Sequence, residues 1–284
     1  MYIQPLLNWI GGKRQLLNEI HEHLPSQYNN YYEPFLGAGS VLFSVQPHKA
    51  IVGDYNKQLI NTYIQARDNV NELINKLKEL QAERPSRELF LKVRSAYNEK
   101  IQTEVLDVET AAYMIFLSHR GFNGLYRVNK SGLYNVPFGR GYDTLYVEEN
   151  VRNLSAYLNE NDISISAQDF EETCKSVSKG DFVYFDSPYV DEPTRASFTS
   201  YTKDGFGLSD HERLAALFKE LDSRGAFCLL SNNDGPLVYD LYKGYNIKSF
   251  FARRSINRNG QQRTGQEVLV MNYEVATMES LFYD

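Results

Sequence analysis

Tyr31-Tyr32-Glu33-Pro34-Phe35-Leu36-Gly37-Ala38-Gly39, continued by Ser40 to Val45, reads as a short strand, a glycine turn and the start of a helix. Ala50-Ile51-Val52 supplies a second strand that ends at Gly53-Asp54. A strand, helix, strand unit closed by an acid is one half of an open α/β sheet. Its glycines let backbone approach a nucleoside-bearing ligand, and its acid commonly meets a ribose or adenosine edge. The loop is G-x-G without a third glycine, which counts against a plain dinucleotide-binding dehydrogenase.

Working outward, the sheet pattern breaks off after Asn56. Leu59, Ile60, Tyr63 and Ile64 repeat at helical spacing, as do Leu73, Ile74, Leu77 and Leu80. Glu83-Arg84-Pro85-Ser86 separates these from helical runs at 89–97 and 110–117, and all four stripes read as core. Gly121 to Arg127 and Asn135 to Arg140 then interleave glycine, aromatic, amide and arginine in loop-like stretches, a mixture suited to reading bases. Strands resume at Ile163 to Ser166, which leads to Asp169-Phe170, and at Asp181 to Phe185. Leu208 to Leu221 reads as an amphipathic helix capped by Ser209, Ala226 to Leu230 as a buried strand, and 246–251 with 267–273 as an antiparallel hairpin. The sheet is thus interrupted once, between its second and third strands.

Composition bounds the class. A chain of 284 residues, 42% hydrophobic, can bury a sizeable core, and no run approaches the roughly 18 apolar residues needed to cross a bilayer. Without a signal-peptide pattern at its start, a cytoplasmic protein is expected. Cys174, Cys228 and five scattered histidines give neither a disulfide framework nor metal-ligand spacing, so neither is expected; His21 and His23 read as solvated. The net charge of −6 excludes a protein that coats nucleic acid indiscriminately. Arg253, Arg254, Arg258 and Arg263 nevertheless cluster in a stretch without acids, a phosphate-contacting hairpin on one reading and a solvated loop on the other.

The motif that carries chemistry is Asp186-Ser187-Pro188-Tyr189, at the C-terminal end of the strand 181–185, where open α/β sheets place their ligands. The amino nitrogen of adenine is a poor nucleophile because its lone pair is delocalised into the ring. Acceptors aimed at its two N–H bonds bias that lone pair outward, and the Asp186 carboxylate with the Ser187 carbonyl can supply both. Tyr189 can stack on the base and Pro188 stiffens the turn. Methylation of a base amino group is the chemistry these residues suit, with positioning and electrostatics as the main sources of acceleration.

Asn8-Trp9-Ile10-Gly11-Gly12-Lys13, the Glu33 to Gly39 loop, Asp54-Tyr55-Asn56, Phe122 to Arg127, Asn135 to Gly139 and Arg253 through Gly260 occur together in one order. In that order they resemble the DNA adenine methylase family over nearly the whole chain, especially its members acting on GATC. The resemblance implies a Rossmann-like α/β methyltransferase domain (1–56 and 144–284) with an inserted helical DNA-recognition domain (57–143). It implies S-adenosylmethionine as methyl donor, no metal, and N6 of an adenine flipped out of duplex DNA as target. Trp9, Lys13, Phe35, Gly37, Gly39, Asp54, Asp169, Phe170 and Asp186 match the cofactor pocket, and Asp186, Ser187, Pro188 and Tyr189 the catalytic loop. Phe122 matches an aromatic that wedges into the duplex. Leu125, Arg127 and Pro137 match base-reading positions, Asn8, Asn123 and Arg140 are further DNA-binding candidates, and Arg253, Arg254 and Arg258 match phosphate contacts.

Taken singly, Trp9 reads as core, Lys13 as a solvated cation, and Asp54 and Asp169 as turn residues; their joint order is what separates them from coincidence. The chain departs from the family pattern at Ser187, usually proline, and at Asn8, usually lysine and tied to the first base of the site. Losing one fixed φ angle at Ser187 leads to the expectation that Ser187→Pro raises turnover. The family setting is bacterial or phage, compatible with a monomer and with a cognate restriction endonuclease. Two alternatives stay open on sequence: an RNA or other amino-group methyltransferase on the same fold, and a catalytically impaired DNA-binding homologue.

Overall fold

The computed structural model describes residues 2–9, 13, 16–139, 144–189, 205–253 and 264–275. Its elements run α1 (Leu17–Glu22), β1 (Tyr31–Glu33), α2 (Ser40–Val45), β2 (Lys49–Asp54), α3 (Lys57–Asp68), α4 (Val70–Ala82), α5 (Arg87–Gln102) and α6 (Val108–Arg120). They continue with α7 (Glu148–Glu160), β3 (Asp162–Ala167), α8 (Phe170–Thr173), β4 (Phe182–Phe185), α9 (Leu208–Ser223), β5 (Phe227–Asn233), α10 (Pro236–Leu241), β6 (Asn246–Arg253) and β7 (Thr264–Met271).

The strands form one seven-stranded sheet in the order β3-β2-β1-β4-β5-β7-β6. β1 to β5 pair in parallel, and β7 runs antiparallel between β5 and β6. The fold is the Rossmann-like α/β sheet that the strand and helix pattern predicts. The order reverses between β1 and β4, so the glycine turn after β1 and the Asp186 loop after β4 leave adjacent strands at one edge. That is where a doubly wound sheet opens a crevice.

Period-two alternation assigns each strand residue to one of two cores. Tyr31, Val52, Phe182, Tyr184 and Leu229 face the layer of α1 to α7, whereas Tyr32, Val183, Phe185, Cys228 and Leu230 face that of α8, α9 and α10. The first core runs without a break from the sheet into the helices that follow β2, through Leu59, Tyr63, Leu77, Phe90 and Ile115. The stripes of the interrupting segment are therefore core, as their spacing predicts.

Local chemistry sets the helix ends. Asn56 accepts from the amides of Gln58 and Leu59 to start α3, Ser86 from Leu89 to start α5, and Asp107 from Thr110 to start α6. One expected cap is wrong: Ser209 lies inside α9, and the cap is Gly207, whose amide donates to the Asp210 carboxylate at 2.9 Å. His23 also departs from expectation. It is buried, its Nδ1 lies 2.6 Å from the Glu19 carbonyl and its Nε2 3.1 Å from Lys248 Nζ, whereas His21 is exposed. Cys174 and Cys228 are buried free thiols, and among the described residues no helix is long and apolar enough to cross a membrane.

Candidate active site

Gly37 and Gly39 take φ of +49° and +66°, the left-handed region that glycine enters without cost, and this folds the chain sharply from β1 into α2. A Cβ at Gly37 would stand 3.4 Å from the Trp9 indole, and one at Gly39 would strike Phe43 at 2.6 Å. At the end of β2, Asp54 accepts from the Gly37 amide at 3.0 Å and from the Asn56 amide at 2.9 Å. The acid thus fixes the glycine turn as well as closing its strand.

A second group of predicted residues meets beside it. Phe35 stacks on Phe170, with centroids 5.3 Å apart, and Phe206 meets Phe35 edge-on at 5.8 Å. The Arg213 guanidinium lies 4.7 Å from the Phe170 centroid and pairs with Asp169 at 3.0 Å. These contacts make an aromatic wall with one carboxylate held at its rim. The ring pairs contribute about 0.5–1.5 kcal/mol each beyond their burial.

The third group is the loop after β4. Lys13 is buried, and its ammonium donates to Tyr189 Oη at 2.8 Å and pairs with Asp186 Oδ1 at 2.9 Å. It sits 4.5 Å from the centroid of the Tyr189 ring and 3.8 Å from Glu267 Oε2. Burial by itself would discharge Lys13, but Asp186, Tyr189 and Glu267 outweigh it and raise its pKa, so the ammonium stays charged. Burial raises Asp186 as well, with Lys13 opposing the shift. Two consecutive residues of β5 hold two consecutive residues of this loop. Ser231 Oγ lies 3.4 Å from Asp186 Oδ1, and Asn232 Nδ2 donates to Ser187 Oγ at 3.1 Å.

That last bond changes the expectation for Ser187. Ser187 is almost fully buried, and its hydroxyl ties the loop to β5 through a side chain that proline lacks. Proline would restore a fixed φ but leave the Asn232 amide without this acceptor, so lower turnover is now the expected direction.

Carboxylates concentrate at this edge. Glu33, at the end of β1, accepts from Tyr31 Oη at 2.7 Å; burial pushes its pKa up to about 8, with Asp186 and Asp54 adding to the shift. Asp54 is also raised by burial. Asp54 and Asp186, at the ends of β2 and β4 and beside a glycine turn and an aromatic wall, make a cradle that fits a nucleoside carrying a compact positive charge. Among the described residues no group of three His, Cys, Asp or Glu side chains is placed to hold a metal ion.

The base-facing candidates form a neighbouring rim. Phe122 to Gly124 make a single 3-10 turn, with Phe122 half-exposed and Asn123 at φ +55°. The Phe122 amide donates to the Pro137 carbonyl at 2.9 Å, and Arg127 Nε donates to Asn135 Oδ1 at 2.8 Å. Pro137 is exposed and Leu125 half-buried. The rim is joined to the pocket twice: Trp9 stacks on Tyr126 at 5.1 Å, and a Cβ at Gly124 would lie 3.1 Å from that of Asn8. Arg140, Arg254 and Arg258 lie outside the described residues, and Arg253 is described only as backbone at the end of β6.

Residues 9–256 match the family model of D12 class N6 adenine-specific DNA methyltransferases. The chain belongs to this family. It is 42% identical over 276 residues to the Type II methyltransferase M1.LlaDCHI of Lactococcus lactis subsp. cremoris, covering 95% of this chain and 96% of the relative. It is 39% identical over 292 residues to the Type II methyltransferase M.MjaIII of Methanocaldococcus jannaschii, covering 96% of this chain and all of the relative. A DNA adenine methylase of Vibrio cholerae is 34% identical over 266 residues, 93% of this chain and 94% of its own length. As a member of the family the chain is an N6-adenine DNA methyltransferase, and the resemblance seen in its motifs holds.

Six residues of the site were missed on sequence: Glu33 (although it opens the glycine motif), Phe206, Arg213, Ser231, Asn232 and Glu267. Ser231-Asn232-Asn233, polar residues ending an otherwise apolar strand, and Glu267, an acid opening the apolar run Val268-Leu269-Val270, were the available signals. Phe206 and Arg213 carry none, because only packing brings them to Phe35 and Phe170.

Proposed function

We propose that this enzyme transfers a methyl group from S-adenosylmethionine to N6 of an adenine flipped out of duplex DNA, within GATC, as the modification partner of a restriction endonuclease. The observation that carries the proposal is the Lys13 contact. An amino-type nitrogen bearing N–H donors rests on Asp186 at 2.9 Å and 4.5 Å from the Tyr189 centroid, the position an adenine amino group would need. The Asp186 carboxylate and the Ser187 carbonyl then take its two N–H bonds, and Tyr189 stacks on the base.

Trp9, Phe35, Gly37, Gly39, Asp54, Asp169 and Phe170 would hold the cofactor. Bound there, S-adenosylmethionine supplies an electrophilic methyl group on a sulfonium, a charge that Asp54 and Asp186 would offset. We assign residues 57–143 to target recognition, with Asn8, Asn123, Leu125, Arg127 and Pro137 facing the bases. Phe122 fills the gap left by the flipped base, which offsets stacking worth about a few kcal/mol. The arginines Arg140, Arg253, Arg254 and Arg258 are assigned to the phosphates. The names of the two Type II relatives support the modification role, and the DNA adenine methylase relative supports adenine as target.

The test is transfer of labelled methyl from S-adenosylmethionine to a short duplex with one GATC and to a matched duplex altered at its first base. Label confined to GATC, recovered as N6-methyladenine, is the expected result. Label on both would remove strict GATC specificity, and label on neither would overturn the proposal.

A further inference from the structure

Lys13 covers the acceptor and the ring face that the proposed base would occupy, so its ammonium has to leave Asp186 before a base can enter. A buried ammonium moved to a place without a counter-charge costs several kcal/mol. Glu267 offers such a counter-charge. It stands on β7, opposite Asn233 of β5 and Phe250 of β6, and is buried to 7% exposure. Its Oε2 faces Lys13 Nζ at 3.8 Å, too long for a hydrogen bond, and has no hydrogen-bond partner among the described residues. An acceptor left unpaired in the interior is costly, and one ammonium between two carboxylates can satisfy only one of them fully at these distances.

We propose that Glu267 is a positioning residue that receives the Lys13 ammonium when the target base takes Asp186 and Tyr189, an inference that rests on the function proposed above. No proton changes hands, and the cluster holds two carboxylates and one ammonium before and after. Lys13 shifts by the short distance that converts the 3.8 Å approach into a hydrogen bond. The move frees Asp186 as an acceptor and satisfies Glu267 Oε2 in the same step. The groups facing the ammonium are then Asp186 and Tyr189 from the loop after β4 and Glu267 from β7.

The test uses the full-length protein and a duplex with 2-aminopurine at the target position, whose fluorescence rises when the base unstacks. Glu267→Gln keeps the side chain's shape but removes the receiving charge. It should lower the fluorescence rise and increase KM for DNA by about tenfold or more, with the dissociation constant for S-adenosylmethionine within about twofold of wild type. In a Lys13→Met background, where no ammonium needs a berth, Glu267→Gln should add nothing further. Wild-type fluorescence and KM in Glu267→Gln would overturn the inference, and so would an equal penalty with and without Lys13, which marks a purely structural role. Wild-type protein that transfers no methyl group to duplex DNA would instead overturn the function on which the inference rests.

Discussion

The pocket at the ends of β1, β2 and β4 and the rim from Phe122 to Pro137 are built on different principles. In the pocket, charged groups are buried or partly buried and tied to fixed partners: Lys13 to Asp186 and Tyr189, Asp54 to the Gly37 amide, Asp169 to Arg213. At the rim, Phe122, Asn123 and Pro137 are exposed on turns with backbone hydrogen bonds, and Arg127 is oriented by Asn135. The chemistry thus sits in a network where each change disturbs several partners, whereas recognition sits on a surface where side chains can be exchanged one at a time. Substitutions in the pocket should cost turnover or stability, and substitutions in the rim should cost DNA affinity and discrimination.

The largest effect expected is for Asp186→Asn. Replacing the acceptor carboxylate by a neutral amide should lower kcat by on the order of 10²–10³-fold, as removal of one catalytic hydrogen-bonding group does elsewhere. DNA affinity measured by anisotropy should stay near wild type; a parallel loss of DNA binding would erase the distinction between pocket and rim.

Glu33 gives the next. Its carboxyl titrates near the ordinary 4.5 when unfolded and near 8 when folded. Below about 4.5 it is neutral in both states, and between the two values the folded protein binds the extra proton, so stability falls as pH rises through that window. The loss is a few kcal/mol by order of magnitude and is complete above about 8. Glu33→Gln, with Tyr31 Oη free to turn from donor to acceptor, should flatten this slope in denaturant titrations from pH 5 to 8. An unchanged difference between wild type and variant across that range would show that Glu33 is charged in the folded state.

Ser187→Pro comes third, at about 1–3 kcal/mol for the loss of the buried bond between Asn232 and Ser187. Turnover and melting temperature should both fall, and Asn232→Ala should recover part of the stability in the double variant. Higher turnover would mean that the fixed φ angle matters more than the bond to β5.

At the rim, Arg127→Ala should reduce discrimination at one base pair by about 1–3 kcal/mol while kcat on the intact site changes little. Asn135→Ala should reproduce a fraction of that loss. Competition between matched duplexes would read both. A large drop in kcat from either would tie the rim to the chemistry more closely than its geometry does.

Much of the site was legible because open α/β sheets place functional groups just past strand ends, where a contiguous stretch of sequence spells them out. Phe35, Gly37 and Gly39 follow β1, Asp54 closes β2, and Asp186 to Tyr189 follow β4. The cap of α9 was misassigned by two residues because glycine carries no side-chain signal, and the carboxylate that completes the turn lies three positions on, at Asp210. His23 reads as solvated on a short helix, yet it packs beneath Lys248 and Tyr273, which come from far along the chain.

The sequence by itself determined the strand, turn and helix unit at 31–54, the catalytic loop and the order of the motifs, because each rests on local periodicity or a short-range turn. It also determined the family, since that order is a property of the chain alone. Only the tertiary structure decided that Lys13 reaches across 176 positions to Tyr189, that β5 clamps the catalytic loop through Ser231 and Asn232, and that Glu267 faces the same ammonium. Lys13 comes from outside the sheet, and β5, β7 and the loop after β4 are brought together by strands paired through backbone hydrogen bonds, which are alike for every residue type. Which side chains meet across them is therefore fixed by register and sheet order, not by local pattern.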